Sequence, residues 1–262
     1  MLLLHDDPPS RFKGKLGIRK KVAWTEPLPL DEVKAVSHAL GCTVNDVLIG
    51  IMTGALHHYL VDYGEDPSEL EIRATIPVNL RPLEHAKDLG NHFGTVFLDL
   101  PIWEPNPLSR VFRVAENMHR LKNSKQATVS LGLLATVGMA PLKVQKAALE
   151  LFARKATTVL TNVPGPRESL YLAGSEIGQM MFWVPQSESI GMGISILSYN
   201  GKVFCGVITD NRLVSDPERV VERFGHEFEN LLSLVMMLGP GADRSPQDVE
   251  NQVQAWLDEI EG

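Results

Sequence analysis

Thr157-Thr158-Val159-Leu160-Thr161-Asn162-Val163-Pro164-Gly165-Pro166 is a strand signal that closes on two prolines around a glycine. β-Branched residues fill its first half. Each proline lacks an N–H and fixes φ, so the segment predicts that the backbone leaves the strand at one set place. Gly165 is available for the positive φ that such a turn often uses. The corner holds the Asn162 amide at a strand end. There a polar side chain either belongs to a rigid strand-to-loop corner or meets a ligand, and these ten residues leave both readings open.

Working outward, Leu30 to Leu40 has the spacing of an amphipathic helix, capped and ended by Gly41. Thr43 to Tyr59 is apolar on more than one face and is predicted to be a buried helix. Two strands are predicted at Ile72–Val78 and Gly94–Leu100, with a loop between them that contains Asn79, Arg81, Pro82, Gly90 and Asn91. Residues 107–123 read as a polar amphipathic helix, and 127–153 as apolar helix broken near Pro141. Segments 177–184, 190–198 and 202–209 read as a meander with Tyr199-Asn200-Gly201 as its last turn. Asp216-Pro217-Glu218 opens a helix to about Leu238, its acidic start suited to the helix dipole. Gly239-Pro240-Gly241 breaks it, and Pro246 to Ile260 reads as an acidic helix. The mixture lacks a βαβ rhythm, so the expected class is α/β in the α+β sense: one lobe with a mixed sheet packed with helices. The expected division is a linker-like leader at 1–21, a lobe at 22–240 and an acidic helical tail at 241–262.

The bulk numbers exclude several functions. A net charge of −7 argues against nucleic acid as the main partner, because phosphate binding needs concentrated Lys and Arg. The basic cluster Lys13, Lys15, Arg19, Lys20 and Lys21 reads as solvated linker, with an anionic-lipid or CoA-phosphate contact as the alternative. Cys42 and Cys205 are the only cysteines and have no ligand spacing, which suggests a reducing compartment. No apolar run reaches membrane-spanning length. The expected location is the cytoplasm, with peripheral contact at the inner membrane or lipid inclusions left open. No Cys, His or acid cluster has metal-site spacing.

Asn45-Asp46 stands in the first turn of the buried helix, where an acid often serves only as a cap. Two adjacent polar side chains ahead of an apolar run must nevertheless find partners once buried. Thr43-Val44-Asn45-Asp46-Val47-Leu48, Pro77-Val78-Asn79-Leu80-Arg81-Pro82, Leu89-Gly90-Asn91, Asn162-Val163-Pro164-Gly165-Pro166 and Ser198-Tyr199-Asn200-Gly201 occur in this order. With that order the chain resembles the C-terminal domain of bacterial wax ester synthase/diacylglycerol acyltransferases over about residues 10–238.

The resemblance implies the chloramphenicol-acetyltransferase-like architecture, also found in plant acyltransferases and peptide-synthetase condensation domains: two α/β lobes with a tunnel between them. It implies a long-chain acyl group moved from acyl-CoA to a fatty alcohol or diacylglycerol, with acyl-CoA as substrate and no bound cofactor. In that family the second His of an N-terminal-lobe motif, His-His-x-x-x-Asp-Gly, is the base that deprotonates the acceptor hydroxyl. By the same resemblance Asn45 and Asp46 would shape the site from the buried helix. Asn162, Pro164, Gly165 and Pro166 would form the tunnel wall, and Arg81 and Asn91 would brace the lobe.

His57-His58-Tyr59-Leu60-Val61-Asp62-Tyr63-Gly64 imitates the family's catalytic motif, but Tyr63 separates Asp from Gly. The pair also follows the Asn-Asp helix start, where the family's pair lies far upstream. It is therefore read as dipole-complementing His at the surface end of a helix. His5, His38, His85, His119 and His226 are scattered, and His92 is the one histidine in a plausible site loop. Two readings result. The chain is the second lobe of an O-acyltransferase whose catalytic lobe lies elsewhere, in cis or in trans, or it is a non-catalytic lipid-binding or scaffolding lobe that pairs with another acyltransferase.

Overall fold

The computed structural model describes residues 5–80, 93–186, 190–238, 248 and 251, and every count and absence below refers to those residues. Its centre is a seven-stranded sheet. The strands are β1 (Lys20–Trp24), β2 (Leu28–Pro29), β3 (Glu71–Asn79), β4 (Phe93–Pro101), β5 (Thr158–Pro164), β8 (Met192–Tyr199) and β9 (Lys202–Asp210). The order is β1-β9-β8-β5-β3-β4, with β2 also on β9. β5 runs parallel to both β3 and β8, whereas β3–β4, β8–β9 and β1–β9 are antiparallel. The sheet is mixed, as the sequence predicts.

Alternation assigns the two faces. Ile72 and Ala74, Leu98 and Leu100, Leu160, Ile194 and Ile196 point into the main core. Helices α1 (Leu30–Ala39), α2 (Val44–Asp62), α3 (Pro107–Lys122) and α6 (Pro217–Leu238) cover that face. α2 is apolar all round, and it is buried from Asp46 through His57 and again at Tyr59 and Leu60. The second face is served by α4 (Gln126–Gly138), α5 (Leu142–Arg154) and a smaller cluster around Phe97, Ala153, Ala156 and Ile190. α4 also seals the free edge of β4. The Thr95 N–H donates to Ser130 Oγ (2.7 Å) and the Phe97 N–H to Gln126 Oε1 (3.3 Å), so α4 takes up two N–H groups in the middle of that edge.

Three expectations are corrected here. Residues 177–184 form no strand. Met181 to Gln186 instead cross the second face of β8 and β9, with Ser195 Oγ donating to the Phe182 carbonyl (2.7 Å). The crossing is close because Gly193 and Gly206 present no side chain to it. A small hairpin, β6 (Tyr171–Leu172) with β7 (Ser175–Glu176), stands before it. Second, the N-terminal basic cluster is not a solvated linker throughout. Lys13 Nζ donates to the Arg154 and Ala156 carbonyls (2.7 and 2.8 Å), Lys20 pairs with the buried Asp210 (2.7 Å), and Phe12 is in the core. Third, α1 has no side-chain N-cap, because Pro29 occupies that position. Its other end is closed as expected, with Gly41 at φ 63° and the Cys42 N–H returning to the Ser37 carbonyl (3.0 Å). The greater part of 246–260 lies outside the described residues. No single helix among those described is long and apolar enough to cross a membrane.

Candidate functional site

α1 and α2 meet at 98°, and the start of α2 is built at that joint. Thr43 is the N-cap. The Asp46 N–H donates to Thr43 Oγ1 (3.2 Å), and Asp46 Oδ2 accepts from the Thr43 N–H (2.9 Å) and hydroxyl (2.6 Å), a reciprocal capping box. Asp46 is only 4% exposed, and its other carboxylate oxygen is buried without a partner among the described residues. Cys42 lies beside it, and burial together with the Asp46 charge pushes that thiol up to about 12. At neutral pH Cys42 is a thiol and a poor nucleophile.

Asn45, one position earlier, is turned to the sheet. Its Oδ1 accepts from Asn162 Nδ2 at 2.9 Å, which joins two sequence motifs 117 residues apart. Asn162 can reach it because alternation along β5 sends Leu160 and Asn162 toward α2, and Val159 and Thr161 to the other face. The proline corner differs from its predicted form. The backbone does not leave the sheet at Pro164, which pairs with Ser198, and the Gly165 N–H donates to the Ser198 carbonyl (2.9 Å). The Asn200 N–H then donates to the Pro166 carbonyl (3.0 Å). Gly165 is not in the positive-φ region. Glycine is required there because a Cβ would overlap the Ser198 carbonyl oxygen. The left-handed residues are Asn200 (φ 47°) and Gly201 (φ 73°), which make the tight turn between β8 and β9.

Thus Thr43–Asp46, Asn162–Pro166 and Ser198–Gly201 form one continuous structure: helix start, strand end and hairpin turn. Arg81, Asn91 and His92 lie outside the described residues. The three segments of the junction supply neutral amides and one buried carboxylate and include no histidine, while His119 and Glu116 of α3 line the cleft outside Thr43 and Asp46. The junction can orient a polar group or hold two walls together, and its own segments offer no histidine base.

The His57–His58 pair is elsewhere and is not on a surface end. α2 continues to Asp62, so the pair is interior to the helix, roughly 18 Å along it from Asn45 at 1.5 Å per residue. His57 is 8% exposed, and its Nδ1 pairs with the Ile102 carbonyl (2.6 Å). With a carbonyl as partner, Nδ1 carries the proton. His58 Nε2 is 3.0 Å from Glu227 Oε1, and the other oxygen of Glu227 accepts from Arg110. This buried network was not anticipated from the sequence. Its available signal was charge inside apolar stripes: Arg110 beside Val111 and Val114, and Glu227 among Phe224, Phe228 and Leu231. Burial works to raise the Glu227 carboxyl, but the His58 hydrogen bond and the Arg110 charge hold it below its ordinary value.

Burial depresses the His57 pKa below 6.5, outweighing the Ile102 hydrogen bond; the charges on His58 and Arg110 act in the same direction, and Glu227 opposes them. A base with a depressed folded pKa binds fewer protons folded than unfolded. Its contribution is complete above pH 6.5 and is lost as pH falls through the folded pKa. Glu227 adds loss only below its unfolded value of 4.5. The urea midpoint is therefore expected to fall as pH drops below 6.5, and His57→Gln should flatten that limb. An equal slope in the variant would refute the assignment.

No group of three or more Cys, His, Asp or Glu side chains suited to a metal ion occurs among the described residues. The profile of the WS/DGAT C-terminal domain matches residues 89–232. Two Mycobacterium tuberculosis proteins named as probable diacylglycerol O-acyltransferases are similar. The protein tgs1 is 28% identical over 193 residues, covering 72% of this chain and 42% of that protein. For tgs2 the values are 27% over 230 residues, 86% and 50%. The chain thus spans about half the length of the curated relatives it matches. Among solved structures, the wax ester synthase/diacylglycerol acyltransferase of Marinobacter aquaeolei VT8 superposes with a TM-score of 0.66 at 20% identity, over 87% of this chain and 52% of that one. The epimerization domain of the third module of tyrocidine synthetase B gives 0.56 at 14%, over 83% and 49%. Those two likenesses carry the fold, chloramphenicol-acetyltransferase-like with a mixed sheet. The ordered motifs and the profile match carry the family: the chain belongs to the WS/DGAT C-terminal domain family.

Proposed function

We propose that this chain is the second lobe of an O-acyltransferase that moves a long-chain acyl group from acyl-CoA to a fatty alcohol or diacylglycerol, with the base supplied by an N-terminal lobe in cis or in trans. The observation that carries the reading is the Asn45–Asn162 junction. Two family motifs meet there in a polar corner whose own segments carry no histidine. Family membership and the names of the matched relatives support the reaction class. The match to one half of the Marinobacter enzyme supports a partner lobe. Acyl transfer needs a base near neutral pKa within hydrogen-bond reach of the hydroxyl, and neither His57 nor His58 lies near the corner.

The test is an assay of the 262-residue chain with palmitoyl-CoA and either hexadecanol or dioleoylglycerol. It is run alone and with a separately expressed lobe that carries the His-His-x-x-x-Asp-Gly motif. Product is expected only in the mixture. Turnover by the chain alone that disappears in His57→Ala or His58→Ala would place the base in this lobe and overturn the reading. The second reading, a lipid-binding lobe without catalysis, is favoured by a mainly apolar cavity of about 410 Å³ on the opposite face of the sheet.

A further inference from the structure

The two edges of the sheet differ. At one, α4 takes up N–H groups of β4, whereas β1 ends the other with no strand beyond it among the described residues. The Asn211 N–H donates to the Arg19 carbonyl (3.0 Å) and the Thr25 N–H to the Cys205 carbonyl (2.9 Å). In the register that pairs Lys21 with Thr209 and Ala23 with Val207, the odd-numbered residues therefore bond to β9. Lys20, Val22 and Trp24 direct their N–H and carbonyl groups outward, and these meet no partner among the described residues. A groove of about 780 Å³ runs beside that edge, between β1 and α6. Val221 and Phe228 form its buried floor, and Glu26, Glu32, Glu218, Glu222 and Glu229 stand exposed around it. The neighbouring cations are held elsewhere: Lys21 by the Ser215 carbonyl (2.6 Å), Lys34 by Asp31 (2.9 Å) and Arg223 by Asp62 (2.8 Å).

We propose that this edge binds a basic segment of another protein, added antiparallel to β1 as a further strand. Unpaired edge groups are a template for strand addition, and antiparallel pairing is the more stable form. Lysine on an edge strand usually guards it, but the Lys20 ammonium is drawn to the buried Asp210 (2.7 Å). Charge identifies the occupant. Ala23 faces the core, so Val22 and Trp24 face the other way, where Trp24 packs edge-on against Trp183. An added strand turns alternate side chains to the α6 glutamates and the rest to Val22 and Trp24. The matching segment therefore alternates Lys or Arg with Val, Ile or aromatic residues. Residues 239–262 of this chain do not fit, because Asp243, Asp248, Glu250, Asp258, Glu259 and Glu261 outweigh Arg244. A second copy paired through β1 would bring its own α6 to the same face of the joined sheet and set glutamates against glutamates. The surface shares no residue with the Asn45–Asn162 junction, and the proposal does not depend on the acyl-transfer reading.

The probe is the peptide acetyl-Lys-Val-Lys-Val-Lys-Val-Lys-amide, titrated into the 262-residue chain by calorimetry at low salt. Saturable one-to-one binding is expected. A second peptide, N-methylated at every valine, keeps the charges but cannot donate to β1, and it should bind at least about tenfold more weakly. That comparison tests the ladder without changing the protein. Val22→Pro removes one outward N–H and leaves the bonds to β9, so the urea midpoint should hold while binding is lost. Glu222→Lys combined with Glu229→Lys changes two exposed residues and should weaken binding about tenfold. Absent saturation overturns the proposal, as does equal binding of the methylated peptide or unchanged affinity in the charge-reversed variant. Equally tight binding of a peptide with Glu in place of every Lys overturns it as well. A dimer of the chain alone that Val22→Pro dissociates would assign the edge to a second copy, and the proposal would fail.

Discussion

Arg110→Ala is expected to destabilise the lobe by about 3–5 kcal/mol, because it removes one partner of a buried ion pair and leaves the other unpaired. Arg110 is 1% exposed and joins three helices. One Nη donates to Glu227 on α6 and the other to the Glu104 carbonyl (2.9 Å) ahead of α3. α2 takes part through Gly54, where a Cβ would overlap both Glu227 and the guanidinium. After truncation Glu227 keeps only His58, a partner that is charged only when protonated, so the carboxylate loses its permanent counter-ion. The network is nevertheless imperfect, since Arg110 Nε is buried with no partner among the described residues. A paired replacement, Arg110→Met with Glu227→Leu, should therefore recover most of the loss or exceed the starting stability. Urea unfolding of the three proteins checks this. If the double variant is as unstable as Arg110→Ala, the pair contributes more than its desolvation cost and the accounting is wrong.

The same network shows where reading the sequence stops. Strands at Ile72–Val78 and Gly94–Leu100 were legible because alternation survives when one face is buried, and α3 and α6 because their apolar stripes repeat at helical spacing. Arg110 and Glu227 interrupt those stripes, yet the residue that meets each charge is set by how three helices cross, which no local pattern contains. Read from sequence, His57 and His58 stand at a helix end because the predicted helix is bounded at Tyr59. The helix continues for three more residues, and the pair becomes interior. Met181 to Val184 has the composition of a strand but lies across the sheet, for reasons held in Gly193, Ser195 and Gly206 on other strands. The small residues Gly193 and Ser195 at alternate positions of β8 were the available sign that another backbone passes close by. Of the candidate site, the order of motifs was legible from sequence. The Asn45–Asn162 hydrogen bond was not, because it depends on where β5 sits relative to the start of α2.

Gly165→Ala is the sharper probe of that corner, and it should cost more than removing the asparagine. Asn162→Ala deletes one side-chain hydrogen bond of 2.9 Å and leaves the Asn45 amide free to take water, a loss of about 1 kcal/mol. Gly165→Ala puts a methyl group against the Ser198 carbonyl oxygen, a backbone atom fixed in the β5–β8 ladder. The chain can relieve the overlap only by drawing β5 away from β8. That movement breaks the Gly165 N–H bond to Ser198 and strains the Asn200 N–H bond to Pro166. Overpacking and the lost bond together predict a loss of about 2–4 kcal/mol. Because φ at Gly165 is not positive, the penalty is steric. Ser198 contributes its carbonyl, so no side-chain change at 198 can make room, and a second-site rescue there is not expected. In a complemented acyl-transfer assay, Gly165→Ala should lower turnover more than Asn162→Ala even when both are measured below their unfolding transitions, since it moves the whole corner and not one amide. Equal stability losses in the two variants would show that β5 yields easily at this point. The corner would then be a soft strand end, and the proline pair would have no positioning role to explain.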